Sequence, residues 1–145
     1  MGSTLTLERI DITDEVMDWK QAIARCAEPL LADGSIEDRY VEAVYTTAEK
    51  MGPFFDFGKG VAVPHARPEE GTNAVALSLL RTRTPVLLLD REDHPIEVWI
   101  LLAATDAESH VDVLRSLATV LTDDEKVAAL KNAETPEEIL AVFDD

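Results

Sequence analysis

Cysteine, basic residues and long apolar runs are all scarce in this chain of 145 residues. The single cysteine, Cys26, excludes an internal disulfide, and its place among apolar residues with helical spacing predicts a buried packing role rather than a reactive thiol. The longest apolar stretch, residues 98–104, is far too short to cross a bilayer. The N-terminus has no basic segment leading into an apolar one, so no secretory signal is expected. We therefore expect a cytoplasmic protein without membrane insertion.

The shortage of basic residues leaves the chain strongly negative. It has 13 Lys and Arg residues against 29 Asp and Glu residues, which gives a formal net charge of -16 at pH 7. Such a charge repels phosphate backbones and anionic membrane surfaces, and it therefore argues against nucleic-acid binding. It favours a basic protein partner, although acidic residues scattered along the whole chain also serve solubility.

The length and the pattern of apolar residues predict a single domain over residues 1–145. With 46% hydrophobic residues the chain can bury a core without disulfides or metals, and no linker, repeat or low-complexity run divides it. Apolar residues at three- and four-residue spacings predict a first helix over residues 14–32, with Val16 on its apolar face. A second helix is predicted to begin at the capping hydroxyl of Ser35 and to end at Gly52.

Five short apolar segments in the middle of the chain predict β-strands. Several are apolar on both faces, which indicates a central sheet covered by helices on both sides. Three more helices follow, and Val111 belongs to the predicted buried stripe of the first of them. Together the elements predict an α/β fold, a layered sandwich with a mixed central β-sheet flanked by helices on both faces. The predicted strands are residues 54–57, 60–63, 74–80, 86–89 and 98–103, and the later helices are residues 111–121, a stretch around Val127 and Leu130, and residues 135–143.

One histidine stands at a place where the backbone is restricted. His65 directly follows the small, apolar segment 60–63 and Pro64, and Pro68 bounds the loop on its other side. Because proline limits the backbone conformations on both sides, the imidazole is held in a nearly fixed place, as a nucleophile requires. The spacing alone also fits a surface-loop histidine without a task.

The two other histidines differ in their surroundings. His110 stands at the start of the predicted helix that ends at Leu121, where unpaired N–H groups and a partial positive charge favour a phosphate nearby. It is a candidate hydrogen-bond donor to a phosphoryl group, and packing or capping at the helix start is the alternative. His94 lies in the charged turn of residues 90–95, and we interpret it as a surface residue without a role in a site.

The run of residues 60–67, GVAVPHAR, carries a resemblance to a known family. It resembles the active-site motif of the enzyme IIA domains (EIIA type 2) of the fructose-mannitol superfamily in the bacterial phosphoenolpyruvate-dependent sugar phosphotransferase system. The resemblance extends over about residues 33–143. The later similar blocks are Pro85-Val86, the charged turn before Pro95, the strand at residues 98–104, and Ser109-His110-Val111 with Leu114 and Leu117.

The resemblance implies a phosphotransferase that works as a phosphoryl relay. In this family the motif histidine accepts the phosphoryl group from the phosphohistidine of the carrier protein HPr and passes it to the enzyme IIB component of a sugar permease, whose IIC component lies in the membrane. His65 matches this acceptor, and His110 matches the family's second active-site histidine, which assists the phosphoryl group. Neutral imidazole is a good nucleophile near pH 7 and phosphoimidazole is an energy-rich donor, so the group can move both in and out. If imidazole and backbone donors neutralise the transferring charge, the relay needs no metal, and no other cofactor is expected. The oligomeric state stays open, a homodimer included.

Two details of the resemblance bear on the sugar and on the site. Mannitol-type members tend to carry an arginine in the helix before the motif, where residues 45–50 of this chain offer Lys50 as the only base. The segments 52–55 and 64–71 are closer to the ascorbate-type branch, so ascorbate or a related pentitol-like sugar is expected before mannitol or fructose. Arg67 is a candidate support for the phosphoryl group, with a solvated loop residue as the alternative.

Two other functions stay open at this point. A regulatory relative would use the same phosphorylatable histidine for signalling and would pass no phosphate to a sugar. A metal-dependent hydrolase would use His65, His110 and nearby carboxylates such as Asp106 and Asp112, although the sequence has no tight ligand pair of the His-x-x-x-His kind.

Overall fold

A computed structural model describes residues 4–144 and has five helices and five strands in this range. Short 3-10 turns lie at Leu7–Arg9, Pro68–Glu70 and Leu88–Asp90. The strands are β1 Ile10–Thr13, β2 Asp56–Gly58, β3 Val61–Ala62, β4 Ala76–Leu87 and β5 Pro95–Ala103, and the helices are α1 Trp19–Ala32, α2 Asp38–Met51, α3 Ala107–Leu121, α4 Asp124–Asn132 and α5 Pro136–Asp144.

The five strands join one mixed sheet in the order β1-β4-β5-β3-β2. β4 pairs antiparallel with β5 and β2 antiparallel with β3, whereas β1 lies parallel to β4 and β3 lies parallel to β5. The predicted mixed sheet is thereby confirmed. Because β3 and β5 are adjacent and parallel, their carboxyl ends lie at the same edge of the sheet, where ligand sites of open α/β sheets are found. The segments that carry His65 and His110 both leave the sheet at this edge.

Apolar residues fill both faces of the sheet. α1 and α2 cover one face, on which Trp99 and Leu101 of β5 are fully buried. α3, α4 and α5 cover the other face, on which Ile100 and Leu102 are fully buried. This alternation along β5 follows the two-residue period of a strand, and each such side chain contributes about 1.5–3 kcal/mol by burial. The prediction of an α/β sandwich with helices on both faces is confirmed.

The helix α1 begins later than the sequence predicts. The Asp18 carboxylate accepts the N–H of Gln21 at 2.8 Å, and the Gln21 side chain accepts the N–H of Asp18 at 2.9 Å. This capping box fixes the first helical residue at Trp19. Val16 lies before the box and is 83% exposed, so the predicted start at residue 14 and the predicted burial of Val16 are wrong.

The capping role predicted for Ser35 is also wrong. The residue before the first turn of α2 is Glu37, whose side chain makes no capping hydrogen bond. Ser35 lies buried in the preceding turn, where its N–H donates to the Asp33 carboxylate at 2.9 Å and its hydroxyl accepts from Arg9 at 3.3 Å. The predicted end of α2 is confirmed, because Gly52 follows the helix with φ 81°, a conformation that glycine adopts without strain.

The strand β4 joins two segments that were predicted as separate strands. Most of residues 74–80 and the first part of residues 86–89 belong to one strand of 12 residues, Ala76–Leu87. Its pairing with β5 is irregular between Arg81 and Val86. The first strand, β1, was not predicted. It has only four residues, and its pairing with β4 joins distant parts of the chain, which a local pattern does not reveal.

A turn replaces the first half of the strand predicted at residues 54–57, and residues 56 and 57 belong to β2. The N–H of Asp56 donates to the carbonyl of Pro53 at 3.1 Å, and strand pairing starts only at Asp56. The turn leaves Phe54 42% exposed, whereas Phe55 is buried. Both rings are thereby placed beside the loop that follows β3.

The buried face of α3 is shifted from the predicted stripe, which includes Val111 but not Val113 or Val120. Val111 is 48% exposed, so its predicted burial is wrong. The helix begins at Ala107 after the cap Asp106, and its buried residues are Val113, Leu117, Val120 and Leu121.

The predicted packing role of Cys26 is confirmed. The thiol is 2% exposed and lies 3.5 Å from the carbonyl oxygens of Ser78 and Trp99. Burial raises the pKa of Cys26 to about 11, so the thiol is protonated at neutral pH. None of the helices within residues 4–144 has the length and apolarity that a membrane span requires.

Candidate active site

His65 lies in the loop that leaves the carboxyl end of β3. The N–H of Leu102 on β5 donates to the carbonyl of Pro64 at 3.1 Å, and the N–H of Val63 donates to the carbonyl of Phe55 at 2.9 Å. The backbone before His65 is therefore attached to its neighbours on two sides. Part of the constraint that the sequence attributes to the prolines comes from these main-chain hydrogen bonds.

The ring of His65 is held in one tautomer. Its Nδ1 lies 2.8 Å from the carbonyl oxygen of Val63. A carbonyl oxygen only accepts hydrogen bonds, so the proton lies on Nδ1 and Nε2 keeps its lone pair. Burial lowers the pKa of His65 below its ordinary value of 6.5, the hydrogen bond to Val63 opposes this shift, and the neighbouring His110 lowers the pKa further. The imidazole is therefore neutral near pH 7, the form in which it acts as a nucleophile.

His110 lies against His65 in the first turns of α3. The two ring centroids are 5.1 Å apart, with 59° between the ring planes. Nδ1 of His110 is buried and has no hydrogen-bond partner among residues 4–144. An N–H on this atom would be a buried donor without an acceptor, which is rarer in proteins than an unpaired buried lone pair, so burial favours the tautomer with the proton on Nε2. His110 therefore offers an N–H donor where His65 offers a lone pair.

Two phenylalanines form an aromatic wall beside His65. The centroid of the His65 ring is 5.4 Å from that of Phe54, at 80° between the planes, and 5.5 Å from that of Phe55. The two phenylalanine rings lie 4.3 Å apart. Such apolar neighbours account for the burial that lowers the pKa of His65.

The two histidines open into one cleft with a volume of about 840 Å³. The cleft is lined by residues of α2, of the His65 loop and of the start of α3. Three exposed apolar side chains stand at its edge: Met51 at 67% exposure, Phe54 at 42% and Val111 at 48%. The lining residues are Ala43, Thr46, Thr47, Lys50, Met51, Phe54, His65, Ala66, Arg67, Pro68, Glu70, Ala107, His110 and Val111.

The charge of the cleft is opposite in sign to that of the whole protein. Its charged lining residues are Lys50, Arg67 and Glu70, which sum to +1, whereas the chain carries -16. Lys50 and Arg67 are exposed, and neither side chain makes a hydrogen bond or an ion pair with another residue of the described range 4–144. Two cations are thus free to meet an anion that enters the cleft.

The amino terminus of α3 offers less to an anion than the sequence predicts. The Asp106 carboxylate accepts the N–H of Ser109 at 2.8 Å, and the Ser109 hydroxyl lies 3.2 Å from the N–H of Asp106. Hydrogen bonding of the carboxylate to Ser109, first to its N–H and then to its side chain, lowers the pKa of Asp106. Because the protein's own carboxylate occupies this terminus, the ring of His110 is the donor that this segment brings to the cleft.

His94 lies outside the cleft, as predicted, but it has a defined partner. Its Nδ1 is 2.7 Å from a carboxylate oxygen of Asp56, and the other oxygen of Asp56 accepts the N–H of Gly58 at 2.8 Å. The side chains of His94 and Asp56 are 24% and 15% exposed. The contact joins the charged turn before β5 to the turn that carries Phe54 and Phe55.

The carboxylates suggested for a metal-dependent hydrolase do not join the histidines. Asp106 and Asp112 are exposed, and Asp106 caps its own helix. Within residues 4–144 no three side chains of His, Cys, Asp or Glu are arranged to hold a metal ion. The hydrolase interpretation therefore has no ligand set in this part of the chain.

The structure adds residues that sequence reasoning did not assign to the site. Lys50 was noted only as the one base of its segment, and Met51 and Phe54 were placed at a helix end and in a strand. Their common signal is their position at the end of α2 or just after it, before the motif, since this stretch has to pass beside His65. The signal is weak, because only the three-dimensional path of the chain brings it to the cleft.

Comparison with known proteins identifies the family. The family model described as phosphoenolpyruvate-dependent sugar phosphotransferase system, EIIA 2, matches residues 3–145. The ascorbate-specific PTS system EIIA component of Escherichia coli (strain K12) is 30% identical over 136 residues, which cover 93% of this chain and 88% of that protein.

Two solved structures are similar over nearly their full length. The mannitol-specific cryptic phosphotransferase enzyme IIA CmtB from Escherichia coli superposes with a TM-score of 0.90 at 27% identity, covering 98% of this chain and 96% of that one. The enzyme IIA of a complex between IIAMtl and phosphorylated IIBMtl from Escherichia coli has a TM-score of 0.83 at 25% identity, covering 97% and 98%. Both relatives are IIA components.

Proposed function

Since this chain belongs to the EIIA 2 family of the phosphoenolpyruvate-dependent sugar phosphotransferase system, we propose that its His65 accepts a phosphoryl group from the carrier protein HPr and passes it to an enzyme IIB component. The observation that carries this proposal is the pair of imidazoles in one cleft, with a lone pair on His65 and an N–H on His110. One ring is prepared to attack and the other to donate. The chain works in the cytoplasm and reaches the membrane only indirectly, through a IIC permease.

His65 is the nucleophile in this mechanism. Nε2 attacks phosphorus, the bond from phosphorus to the donor's imidazole nitrogen breaks, and the phosphoryl group is left on Nε2 of His65. The Nδ1–H of His65 keeps its hydrogen bond to Val63, which supports the positive charge that the ring gains on bonding to phosphorus. The same contact supports the ring until the group leaves for the next acceptor.

His110 and the two cations would act on the charge of the phosphoryl oxygens. A donor on Nε2 of His110 shares the cleft with the group on His65, so it can hydrogen-bond to one of these oxygens. Lys50 and Arg67 line the same cleft and add positive charge without a metal. The negative charge of the transferring group is spread over its oxygens, and the protein has little covalent chemistry to perform. Positioning and charge stabilisation are therefore the main tasks of the site.

The surroundings of the cleft favour a protein partner over a small substrate. The exposed apolar side chains at its edge suit a flat contact, and the negative charge of the remaining surface attracts a basic partner. The same face has to receive the donor and the acceptor in turn, since both must reach His65. Among IIB components we propose an ascorbate-type one, because the ascorbate-specific relative is 30% identical to this chain and the mannitol-type structures are 25–27% identical.

A phosphorylation assay tests the proposal directly. The protein is incubated with phosphoenolpyruvate, enzyme I and HPr, and intact-mass spectrometry is expected to find one added phosphate that is labile in acid and stable in alkali. His65→Ala is expected to abolish this gain while the far-ultraviolet circular dichroism stays unchanged. His94→Gln is the matched control, because it also removes one histidine, keeps a side-chain donor for Asp56 and leaves the cleft intact.

The outcomes separate the alternatives. Phosphorylation of His65→Ala at a rate comparable to that of the unaltered protein would refute the central assignment. Acceptance on His65 without transfer to ascorbate-type, mannitol-type or fructose-type IIB domains would favour the regulatory function over sugar uptake. Faster transfer to the mannitol-type domain than to the ascorbate-type domain would overturn only the choice of sugar.

A further inference from the structure

The hydroxyl of Tyr40 connects three parts of the fold at the edge of the cleft. Tyr40 lies on α2 and is fully buried. Its hydroxyl donates to the carbonyl of Leu102 on β5 at 2.7 Å and accepts the N–H of Ala66 at 3.0 Å. The carbonyl of Ala66 lies further away, at 3.3 Å, so the single proton of the hydroxyl goes to Leu102. Both hydrogen-bonding functions of the hydroxyl are used.

These contacts attach both neighbours of His65 to the same residue. The carbonyl of Pro64 accepts directly from the N–H of Leu102, at 3.1 Å, and Ala66 is joined to the carbonyl of Leu102 through Tyr40. The residues before and after His65 are therefore both held, directly or through Tyr40, by the main chain of Leu102. No other side chain within residues 4–144 has a hydrogen bond to the main chain of Ala66.

Leu102 also lies shortly before the helix that carries His110, so its position affects where that helix begins. Only three residues lie between Leu102 and Asp106, the cap from which α3 starts, and His110 follows in the first turns of that helix. A shift of Ala66 relative to Leu102 would thus change the place of His65 relative to His110. Displacements of about 1 Å in such sites cost rate factors of up to about a hundredfold.

Burial makes the hydroxyl a permanent partner. It raises the pKa of Tyr40 to about 12, so the group stays protonated and keeps donating across the physiological range. Without the hydroxyl the N–H of Ala66 and the carbonyl of Leu102 would lose this partner inside the protein. Buried main-chain groups are rarely left unpaired, so the loop would have to move to recover hydrogen bonds.

We infer that Tyr40 is a positioning residue for phosphoryl transfer, which fixes the separation of His65 and His110 by holding Ala66 on Leu102. It does not touch the phosphoryl group and acts only through the backbone on both sides of the nucleophile. The inference rests on the proposed function for its rate measurements. Its structural part, the fixed place and tautomer of His65, is independent of that function.

The test compares two tyrosines of the same helix. Tyr40→Phe removes only the hydroxyl, and Tyr45→Phe is the matched control, since the hydroxyl of Tyr45 donates to the carbonyl of Lys20 at 3.0 Å away from the cleft. Acceptance from phosphorylated HPr is measured for both variants and for Tyr40→Phe in a His110→Ala background. Tyr40→Phe is expected to be about tenfold slower and Tyr45→Phe unchanged. In the His110→Ala background the same change is expected to cost less than about threefold, because the alignment with His110 no longer counts.

If Tyr40 had only a structural role, Tyr40→Phe would slow acceptance by the same factor with His110 present and in the His110→Ala background. This result would overturn the inference. An unaltered rate in Tyr40→Phe would overturn it as well. Nitrogen-15 shifts of the His65 ring provide a readout without turnover: one tautomer, protonated on Nδ1, is expected in the unaltered protein and a mixture in Tyr40→Phe. If the unaltered protein accepts no phosphate at all, the proposed function fails, while the ring shifts still decide the role of Tyr40.

One measurement needs no variant and covers the case in which Tyr40→Phe does not fold. The amide hydrogen of Ala66 is expected to exchange with solvent as slowly as the core amides of β5 in the unaltered protein, since its acceptor is a buried hydroxyl. Exchange of Ala66 at the rate of an open loop would show that the hydroxyl does not hold it. That result would also overturn the inference.

Discussion

The rings of His65 and His110 lie 5.1 Å apart between centroids and carry their protons on different nitrogens, Nδ1 in His65 and Nε2 in His110. The hydrogen bond to Val63 sets the first tautomer, and burial of Nδ1 without an acceptor sets the second. The pair therefore presents a lone pair and a donor side by side. Two charged imidazoles at this distance would repel each other, and His110 accordingly lowers the pKa of His65.

Acceptance of the phosphoryl group should rise with pH through a midpoint below 6.5. The nucleophile is the neutral ring, and the pKa of His65 lies below its ordinary value of 6.5, first because the ring is buried. The rate is therefore expected to be constant above about pH 7 and to fall on acidification through the lowered pKa. A midpoint above 6.5 in single-turnover rates, with enzyme I and HPr shown not to limit, would contradict this assignment.

The same shift has a consequence for stability. The unfolded chain binds a proton on His65 at a higher pH than the folded protein does, so stability rises with pH between the lowered pKa and 6.5 and is lost on acidification through this window. His65→Gln should reduce this part of the pH dependence in urea unfolding. A steeper dependence in the variant would mean that the sign of the shift is wrong.

Replacement of His110 by Ala should slow the relay without abolishing it. A hydrogen-bond donor in a water-poor site is worth about 1.5–4 kcal/mol, so acceptance is expected to fall by tens to hundreds of times, and transfer to the IIB domain still more. The pKa of His65 should rise, because the contribution of His110 is lost and the ring becomes more exposed. Stopped-flow transfer and an NMR titration of the His65 ring measure the two effects. Unchanged rates in both directions would leave His110 with a packing role, and complete loss would call for peptide mapping of the phosphate.

The two free cations of the cleft should contribute modestly and independently. Arg67→Gln and Lys50→Gln are each expected to slow acceptance by about two- to fivefold, in line with about 0.2–1 kcal/mol for an exposed charge pair, and 0.5 M salt should reduce the difference. Arg91→Gln is the control, because it changes the net charge equally from the exposed turn before β5. Equal effects of all three changes would indicate that only overall charge matters.

The contact between His94 and Asp56 should support the aromatic wall of the site. His94→Ala leaves a largely buried carboxylate with the N–H of Gly58 as its remaining donor, which should lower the free energy of unfolding by about 1–3 kcal/mol. The turn with Phe54 and Phe55 should loosen, and the pKa of His65 should rise as its burial decreases. His94→Gln keeps a donor for Asp56, so its free energy of unfolding and the pKa of its His65 should stay close to those of the unaltered protein. If the pKa of His65 stays unchanged in His94→Ala, the turn is held by other contacts.

Much of the fold could be predicted from the sequence because its signals are local. The apolar stripes of α1, α2 and α4 and the double-faced apolar run of β5 each reveal themselves within about ten residues. β1 was not predicted because it is short and is stabilised by pairing with β4, nearly 70 residues away along the chain. The predicted strand at residues 54–57 is wrong at Phe54 and Phe55, because phenylalanine favours strands but these two residues lie in a turn. The burial of Phe55 and its contact with His65 decide the conformation, and neither is visible in a local window.

The candidate site divides in the same way. His65, His110 and Arg67 were candidates from the sequence, and the structure places all three on one cleft. Lys50 and Tyr40 belong to a helix that packs beside the loop, so their relevance depends on the tertiary arrangement. Tyr40 in particular follows the helical pattern of an ordinary core residue, and nothing in that pattern indicates which groups its hydroxyl contacts.

The parallel pairing of β3 with β5 has a consequence for how such a protein can diversify. The frame that aligns the two histidines consists of main-chain hydrogen bonds at the ends of two adjacent strands and of one side-chain link, the hydroxyl of Tyr40. Most substitutions outside Tyr40 leave these groups in place. Side chains at the cleft edge, such as Met51 and Val111, are not part of this frame. Selection can therefore retune which partner docks while the reacting geometry is inherited unchanged, and chemistry and recognition evolve as separate traits on one scaffold.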